Sequence, residues 1–503
     1  MAWLPQILPI SDLVGRASIA LRVISTIVAF MKLISRITAT MLPPKVAFIV
    51  LALVLTAVPT TAQLPQQPER DQMLNGLRML LWHKPGNADV FLSLRIHSGA
   101  AFDIEGKAGG MAILGDILFP DPTTREYFTD EMAGRLDVDT DHDSITIIMK
   151  GRADQFERII EILRTALVTT QITPENVARI RDGRIKIAKE TSIAPEVLAD
   201  RAVAARLFGD FPYGRPPSGS PESLSRVDRA DLLLARERFL NANNATLVVI
   251  GGVQRNRAVR AVRQLLGPWR KSEHIVPTTF RQPTAPDSRP LIINAASDQS
   301  AEVRLATRGL ARSDRDLNAA TLLAIVARQR WEKLSPENTR RPLFVRHEAH
   351  VLPGMFVMGT GVDTLIVAKA LTQAREVMQS LMLVPATVDE LARAKAELNA
   401  QVAKDLTSSE GIARFWLDAD TFGLQANGAE GLRIDAITPV DLQRVATRLF
   451  KEGPVATVVI GDAKQLQAAL GPTIKIEMMG EVVPRPAVPE TKPAMTIPIR
   501  KPE

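Results

Sequence analysis

The chain has 503 residues, too many for one ordinary domain, and 46% of them are hydrophobic, enough for two sizeable cores. Its 23% charged residues do not make a disordered composition, and its lack of cysteine excludes disulfides, thiolate nucleophiles and Cys-based metal sites, so a metal would need Asp, Glu or the six histidines. The formal charge of +7 does not mark a nucleic-acid binder: residues 1–62 carry five basic side chains against Asp12, which leaves +3 on the rest, and no basic cluster is interleaved with aromatics.

Residues 46–58 are an apolar run preceded by Lys45 and followed by Pro-Thr-Thr-Ala-Gln. The run is short for a membrane span and fits the core of an export signal cleaved near Ala62-Gln63, beginning at Met1, Met31 or Met41. The mature chain is then expected to be periplasmic or otherwise exported. The other reading keeps the segment as an uncleaved anchor, helped by the apolar stretch 17–30, and gives the chain its only membrane contact. Residues 63–72 are a polar lead-in. Asn75-Gly76 turns into a strand at 79–82, and after Pro85-Gly86-Asn87 residues 90–97 alternate. Val90, Leu92, Leu94 and Ile96 share one face and Phe91, Ser93, Arg95 and His97 the other, which predicts a half-buried strand. Residues 109–119 open a buried helix. A strand at 145–149 leads to a helix over 154–167, where Phe156, Ile159, Ile160, Leu163 and Leu167 recur at helical spacing.

Thr173-Pro174-Glu175 and Ser220-Pro221-Glu222 each place a capping residue before a proline and an acid, the signature of a helix start. Residues 245–250 form an apolar strand ended by Gly251-Gly252, followed by an amphipathic helix to Trp269. Residues 271–290, rich in Pro, Thr, Ser and charge, form a linker. The second half then echoes the first. Ala245-Thr-Leu-Val-Val-Ile-Gly251 returns as Ala456-Thr-Val-Val-Ile-Gly461, and Thr173-Pro-Glu-Asn-Val-Ala-Arg179 as Thr387-Val-Asp-Glu-Leu-Ala-Arg393, where Glu390 completes a capping box. Strand-to-helix 145–167 returns as 355–378. The order and spacing of the echoes indicate a tandem duplication of one α+β unit, with domains at 73–270 and 291–480 and a Pro-rich tail at 481–503.

Several of these pieces together resemble the pitrilysin/insulinase family of zinc metallopeptidases, which includes the mitochondrial processing peptidase. They are Asn75-Gly76-Leu77-Arg78, Ser98-Gly99-Ala100, Gly110-Met111-Ala112, Pro212-Tyr213-Gly214-Arg215, Gly219-Ser220-Pro221-Glu222-Ser223 and residues 244–251. The resemblance covers most of residues 73–470. It implies two tandem homologous α+β domains, each a mostly antiparallel sheet packed with helices, in a clam-like arrangement. Active members carry His-x-x-Glu-His on their first helix: two histidines one turn apart face zinc and the glutamate activates water. Aligned on Gly110-Met111-Ala112, these positions hold Ile113, Asp116 and Ile117. No histidine lies between His97 and His142 to restore them. The family's third ligand, a Glu, aligns near Lys186 or Ile187, with Glu190 the nearest carboxylate after it. Catalytic zinc needs three protein ligands and an open position. The resemblance therefore implies a non-catalytic member without zinc, with Ile113 and Ile117 as packing residues, no catalytic residue and no metal ligand.

The family's substrate-gripping Arg and Tyr of the second domain are also incomplete, because Tyr127 and Tyr213 both lie in the first half. Arg340, Arg341 and Arg346 remain as candidate substrate contacts, weighed against ordinary solvated arginines. His347-Glu348-Ala349-His350 is one residue short of His-Glu-x-x-His, and in a strand its histidines would point to opposite faces. Asp137, Asp139, Asp141 and Asp143 lack the glycine and glutamate of a calcium loop and read as a solvated strand edge. Gly109-Gly110 could receive an anion at a helix start but reads as a turn, and no nucleophile elbow, phosphate loop or dinucleotide fingerprint occurs. The expected function is that of an inactive subunit that helps hold peptide or unfolded polypeptide beside a related active chain. The alternatives are a metalloendopeptidase with an unusual site drawn from Asp116, Glu190 or the His347/His350 pair, and a stand-alone periplasmic peptide-binding or scaffold protein.

Overall fold

A computed structural model describes residues 67–191, 194–295, 299–334, 339–424, 434–451 and 453–479. The apolar N-terminal run, its expected cleavage site and the tail at 481–503 lie outside the described residues. Among those residues no helix is long and apolar enough to cross a membrane.

Two six-stranded mixed sheets organise the body. The first contains β1 (Glu69–Gln72), β2 (Arg78–His83), β3 (Asp89–Ile96), β4 (Arg135–Thr140), β5 (Ile145–Arg152) and β6 (Ala245–Gly251), in the order β1-β2-β6-β3-β5-β4. The second contains β7 (Leu291–Asn294), β8 (Ser300–Arg308), β9 (Phe344–Glu348), β10 (Met355–Asp363), β11 (Ala456–Gly461) and β12 (Glu477–Met479), in the order β12-β7-β11-β8-β10-β9. Five strands of each sheet correspond one to one. β2 runs parallel to β6 as β7 does to β11, and the remaining three neighbours are antiparallel in both. Only the sixth strand differs: β1 joins from before the unit and antiparallel, β12 from after it and parallel. The duplication read from the echoed strands is therefore a duplication of topology.

The helices of the first lobe are α1 (Gly110–Ile117), α2 (Pro122–Asp130), α3 (Phe156–Arg164), α4 (Pro174–Thr191), α5 (Pro195–Phe208), α6 (Pro221–Ser225), α7 (Arg229–Phe239) and α8 (Arg255–Leu266). Those of the second are α9 (Leu317–Leu334), α10 (Val367–Leu383), α11 (Val388–Asp405), α12 (Ser409–Thr421), α13 (Pro439–Phe450) and α14 (Ala463–Leu470). Their starts follow from local chemistry. Ser220 accepts from the Ser223 amide, and Thr387 and Glu390 satisfy each other's backbone donors in the capping box expected there. Thr173 accepts from the Asn176 amide at 3.2 Å at the start of α4.

Each sheet has an inner face packed by its own lobe's helices. In β3 these are Val90, Leu92, Leu94 and Ile96, as the alternation predicts. The strand is not half-buried, however, since every residue from Val90 to Ile96 is buried. The second face is covered by a helix of the other lobe. Ile412, Ala413, Trp416 and Leu417 of α12 pack on Leu80, Phe91, Val248 and Ile250 of the first sheet. The corresponding helix of the first lobe does the reverse: Ala199, Val203, Leu207 and Phe208 of α5 pack on Ala306, Val357, Val458 and Ile460 of the second sheet. The lobes thus exchange equivalent helices.

The exchange is also electrostatic, with acids on the helices and arginines on the lobe that each helix covers. On α12, Asp418 takes Arg95 of β3 at 2.7 Å and Asp420 takes Arg78 of β2 at 3.0 Å. On α5, Asp200 takes Arg304 of β8 at 2.6 Å and Glu196 takes Arg341 at 2.8 Å. Arg304 is almost fully buried and is also held by Glu302 at 3.0 Å.

Candidate functional site: a degenerate zinc helix and the seam between the lobes

Helix α1 begins where the chain turns through Gly109, whose φ of +92° is costly for any residue with a side chain. A Cβ there would also lie 2.6 Å from Leu224 Cδ2. Gly109→Ala is therefore expected to cost about 1–3 kcal/mol of stability, read as a lowered denaturant midpoint, while Gly86→Ala, at φ +77° with open space around it, should cost less. The buried carboxylate of Asp103 accepts from the Gly109 and Met111 amides at 2.7 Å each and so caps the helix. Burial pushes that carboxyl up to about 6, against the two amides and Arg215, which favour its charged form.

Ile113 and Ile117 are both 0% exposed and belong to the core of the first lobe. Asp116, between them, points the other way and accepts from Arg184 Nε of α4 at 2.7 Å. A guanidinium thus supplies the counter-charge at the position of the family's catalytic base. Helix α4 turns Arg184 and the buried Ala188 inward and leaves Lys186, Ile187 and Glu190 exposed. The residues that align with the zinc motif therefore offer two aliphatic side chains and one carboxylate already paired with a cation. They do not fit zinc. Among the described residues no group of three or more His, Asp or Glu could hold a metal ion.

The three arginines singled out as substrate contacts belong to the seam or to local ion pairs. Arg340 pairs with Asp363, Arg341 with Glu196 and Glu302, and Arg346 with Asp200 and Glu348. Arg346 also lies over the Phe344 ring at 4.5 Å.

The histidines of His347-Glu348-Ala349-His350 have separate partners. The strand β9 ends at Glu348, so His350 lies beyond it. His347 Nε2 accepts from the Leu310 amide at 2.9 Å, and burial pushes its pKa down to about 4. His350 instead reaches the first lobe, with Nδ1 3.2 Å from Asp143 Oδ2. The strand-edge reading holds for Asp137 and Asp139 on β4, but Asp141 and Asp143 stand in the β4–β5 turn. Asp141 accepts from the amides of Asp143 and Ser144 at 2.7 Å and shapes the turn. Asp143 is buried, and its carboxylate collects three donors: Tyr213 Oη at 2.9 Å, the Val351 amide at 3.0 Å and His350. Tyr213 Oη in turn accepts from the Leu352 amide at 3.1 Å. Burial works against the proton on His350, but the hydrogen bond and charge of Asp143, with Asp141 and Glu348, raise its pKa above the ordinary value. The tyrosine is pushed upward by burial and by Asp143. This node had one visible signal in the sequence, the Pro212-Tyr213-Gly214-Arg215 motif. Nothing local showed that the tyrosine crosses to the other lobe.

Beside the node lies a cavity of about 590 Å³ walled by both lobes. Arg95, Asp143 and Ser144 line it from the first lobe, and Arg312, His347, His350, Phe415 and Trp416 from the second. Its size is that of an ordinary ligand pocket. Its wall offers aromatic faces and fixed charges.

Two comparisons of sequence bear on this arrangement. The profile described as "Peptidase M16 inactive domain" matches residues 226–326. The probable mitochondrial-processing peptidase subunit beta of Schizosaccharomyces pombe is 22% identical over 432 residues, 81% of this chain and 93% of that protein. The chain is a homologue of the M16, insulinase-type metallopeptidases. An uncharacterized zinc protease of Rickettsia felis is 22% identical over 208 residues, 40% of this M16 homologue and 50% of that protein. The chain thus spans about half the length of that relative. The fold is shared by a protease from Helicobacter pylori, with TM-score 0.72 at 16% identity, over 79% of this chain and all of that one. The fold is thus shared across both lobes, and the residues that align with the zinc motif by resemblance are Ile113, Asp116 and Ile117.

Proposed function

We propose that this M16 homologue is a non-catalytic, exported protein that works beside a related active chain and holds peptide or unfolded polypeptide in the cavity between its lobes. The observation that carries the reading is the filling of the zinc position, where Ile113 and Ile117 are core residues and Arg184 occupies Asp116. The cavity at the seam is kept, with Phe415 and Trp416 as apolar wall and Arg95 and Arg312 as donors for backbone carbonyls or carboxylates. The relative in Schizosaccharomyces pombe is by its name one subunit of a peptidase, which supports a paired arrangement here by analogy.

The test is purification of the chain with its genomic neighbours, followed by zinc analysis of the separated subunits. A related chain carrying His-x-x-Glu-His should co-purify, contain the zinc and lose activity to chelator, and the present chain should contain less than a tenth of a zinc. Stoichiometric zinc and chelator-sensitive cleavage by the isolated chain would overturn the reading. A stand-alone peptide-binding role is favoured by one observation: the chain builds both walls of the cavity itself. A metal-free monomer that binds unfolded polypeptide without a partner would select it.

A further inference from the structure

The wall of the cavity between the lobes is unevenly charged. Arg95 belongs to it from β3, and Arg312 from the segment that follows β8. Asp418 of α12 stands between them and accepts from both, from Arg95 Nη1 at 2.7 Å and from Arg312 Nη2. One carboxylate thus serves two guanidinium groups, and one positive charge is left over. The other acids of the wall are engaged elsewhere. Asp143 is held by His350, Tyr213 and the Val351 amide, and Asp141 by the amides of its own turn. Asp405 accepts from the Gln401 side chain at 3.0 Å. Arg95 acts on Asp141 through space, without a contact ion pair among the described residues.

The same wall carries three donors that lack acceptors. Nε of Arg95, Nε of Arg312 and Nδ1 of His347 are buried, and none has a hydrogen-bond partner among the described residues. The histidine nitrogen is a donor because Nε2 accepts from the Leu310 amide, which leaves the ring's proton on Nδ1. Arg95 is the most deeply placed of the arginines, its side chain 10% exposed against 35% for Arg312. The three side chains are also tied into one cluster. Asp418 joins Arg95 to Arg312, and the Arg312 amide donates to the His350 carbonyl at 2.7 Å, one short step of chain from His347. Buried polar groups are as a rule satisfied and buried cations paired, so a cavity wall that gathers three open donors and a surplus cation asks for an anionic acceptor.

We infer that this wall reads a carboxylate: a peptide in the cavity sets its own C-terminus, or an aspartate or glutamate side chain, against Arg95, Arg312 and His347. This rests on the reading that the cavity holds peptide, and it names the group by which the peptide is recognised. A carboxylate carries one charge, the amount that the two arginines leave uncompensated. Its two oxygens accept without a proton of their own and match the edge of a guanidinium. A carboxamide fails on both counts, since it is uncharged and brings two N–H donors to a place that already has too many. Phe415 and Trp416 of α12 wall the same cavity and suit apolar side chains next to the charged group.

Calorimetric titration of the full chain with three acetylated tetrapeptides tests this: Ala-Leu-Ala-Leu as the free acid, the same peptide as its C-terminal amide, and Ala-Leu-Ala-Asp as its amide. The free acid should bind about tenfold to a hundredfold more tightly than its own amide, the worth of one hydrogen-bonded charge. The aspartate peptide separates the two sources. Affinity like that of the free acid assigns the wall to any carboxylate, and affinity like that of the plain amide assigns it to a C-terminus. Arg312→Gln leaves Asp418 paired with Arg95 and should bring the free acid and its amide to equal affinity, with circular dichroism reading the fold. A preference undiminished in the folded variant overturns the inference. Equal affinities of the three peptides for the wild-type chain also overturn it, without need of any variant, and leave the peptide-holding reading intact. Failure of all three to bind overturns both.

Discussion

Writing the zinc motif back, as Ile113→His with Asp116→Glu and Ile117→His, is expected to unfold the first lobe and not to create a peptidase. Both isoleucines are 0% exposed and pack among sheet residues such as Leu92 and Ile147. Losing each costs about 1.5–3 kcal/mol of burial, and an imidazole without partners in that core adds about 1–3 kcal/mol. Two such sites together approach the whole stability of an ordinary domain, about 5–15 kcal/mol. Nor would the metal find its remaining needs. Arg184 places a cation at the site, and Glu190 is exposed on α4. Guanidinium denaturation and zinc analysis of the triple variant check this. A folded variant with one tightly held zinc would sink the account of the helix as packing.

Asp418→Ala is expected to cost about 3–5 kcal/mol, the range for a buried charge left without its partner. Asp418 is the shared acid of Arg95 and Arg312, and its side chain is 17% exposed against 10% for Arg95. Without it two guanidinium groups, one from each lobe, face each other under α12. Asp200→Ala on the exchanged partner helix should cost clearly less, since Arg304 keeps Glu302 at 3.0 Å. Replacing Asp418 with Leu together with Arg95→Met and Arg312→Met should recover most of the loss, because the desolvated charges go with their counter-charges. Urea denaturation followed by tryptophan fluorescence reads all three, Trp416 being part of the same helix. Equal losses for Asp418→Ala and Asp200→Ala would contradict this ordering.

The pattern of legibility has a physical source. β3 was legible because alternation is local, and its inner face came out residue for residue. Its other face was misread as solvent-facing because the cover arrives with α12, more than three hundred residues later; the Arg95–Asp418 contact spans 323 positions. The helix starts at Pro174, Pro221 and Val388 were legible because a cap is made within three residues. Asp143 looked like one tooth of an alternating acidic strand, but the strand stops at Thr140 and the aspartate collects donors from two lobes. His347 and His350 looked like a damaged metal motif for a similar reason: spacing shows two imidazoles near each other, not that their ring nitrogens are already committed elsewhere. Arg340, Arg341 and Arg346 could be named as candidate substrate contacts by resemblance, but only the fold supplies the acids that occupy them.

The exchange of α5 and α12 also bears on how the chain is made. All strands of the first sheet have been synthesised by Gly251, yet the helix that covers its second face ends at Thr421. At about 5–20 residues per second, the interval is roughly 10–30 s. Throughout it Leu80, Phe91, Val248 and Ile250 form an apolar sheet face beside the unpaired charge of Arg95, with nothing yet made to lie on it. The second lobe has no such wait, because α5 precedes every strand that it covers. The two lobes, alike in topology, therefore differ in their exposure during birth. The first is the one that needs shelter, and the last helix to reach it turns a nascent intermediate into a finished protein.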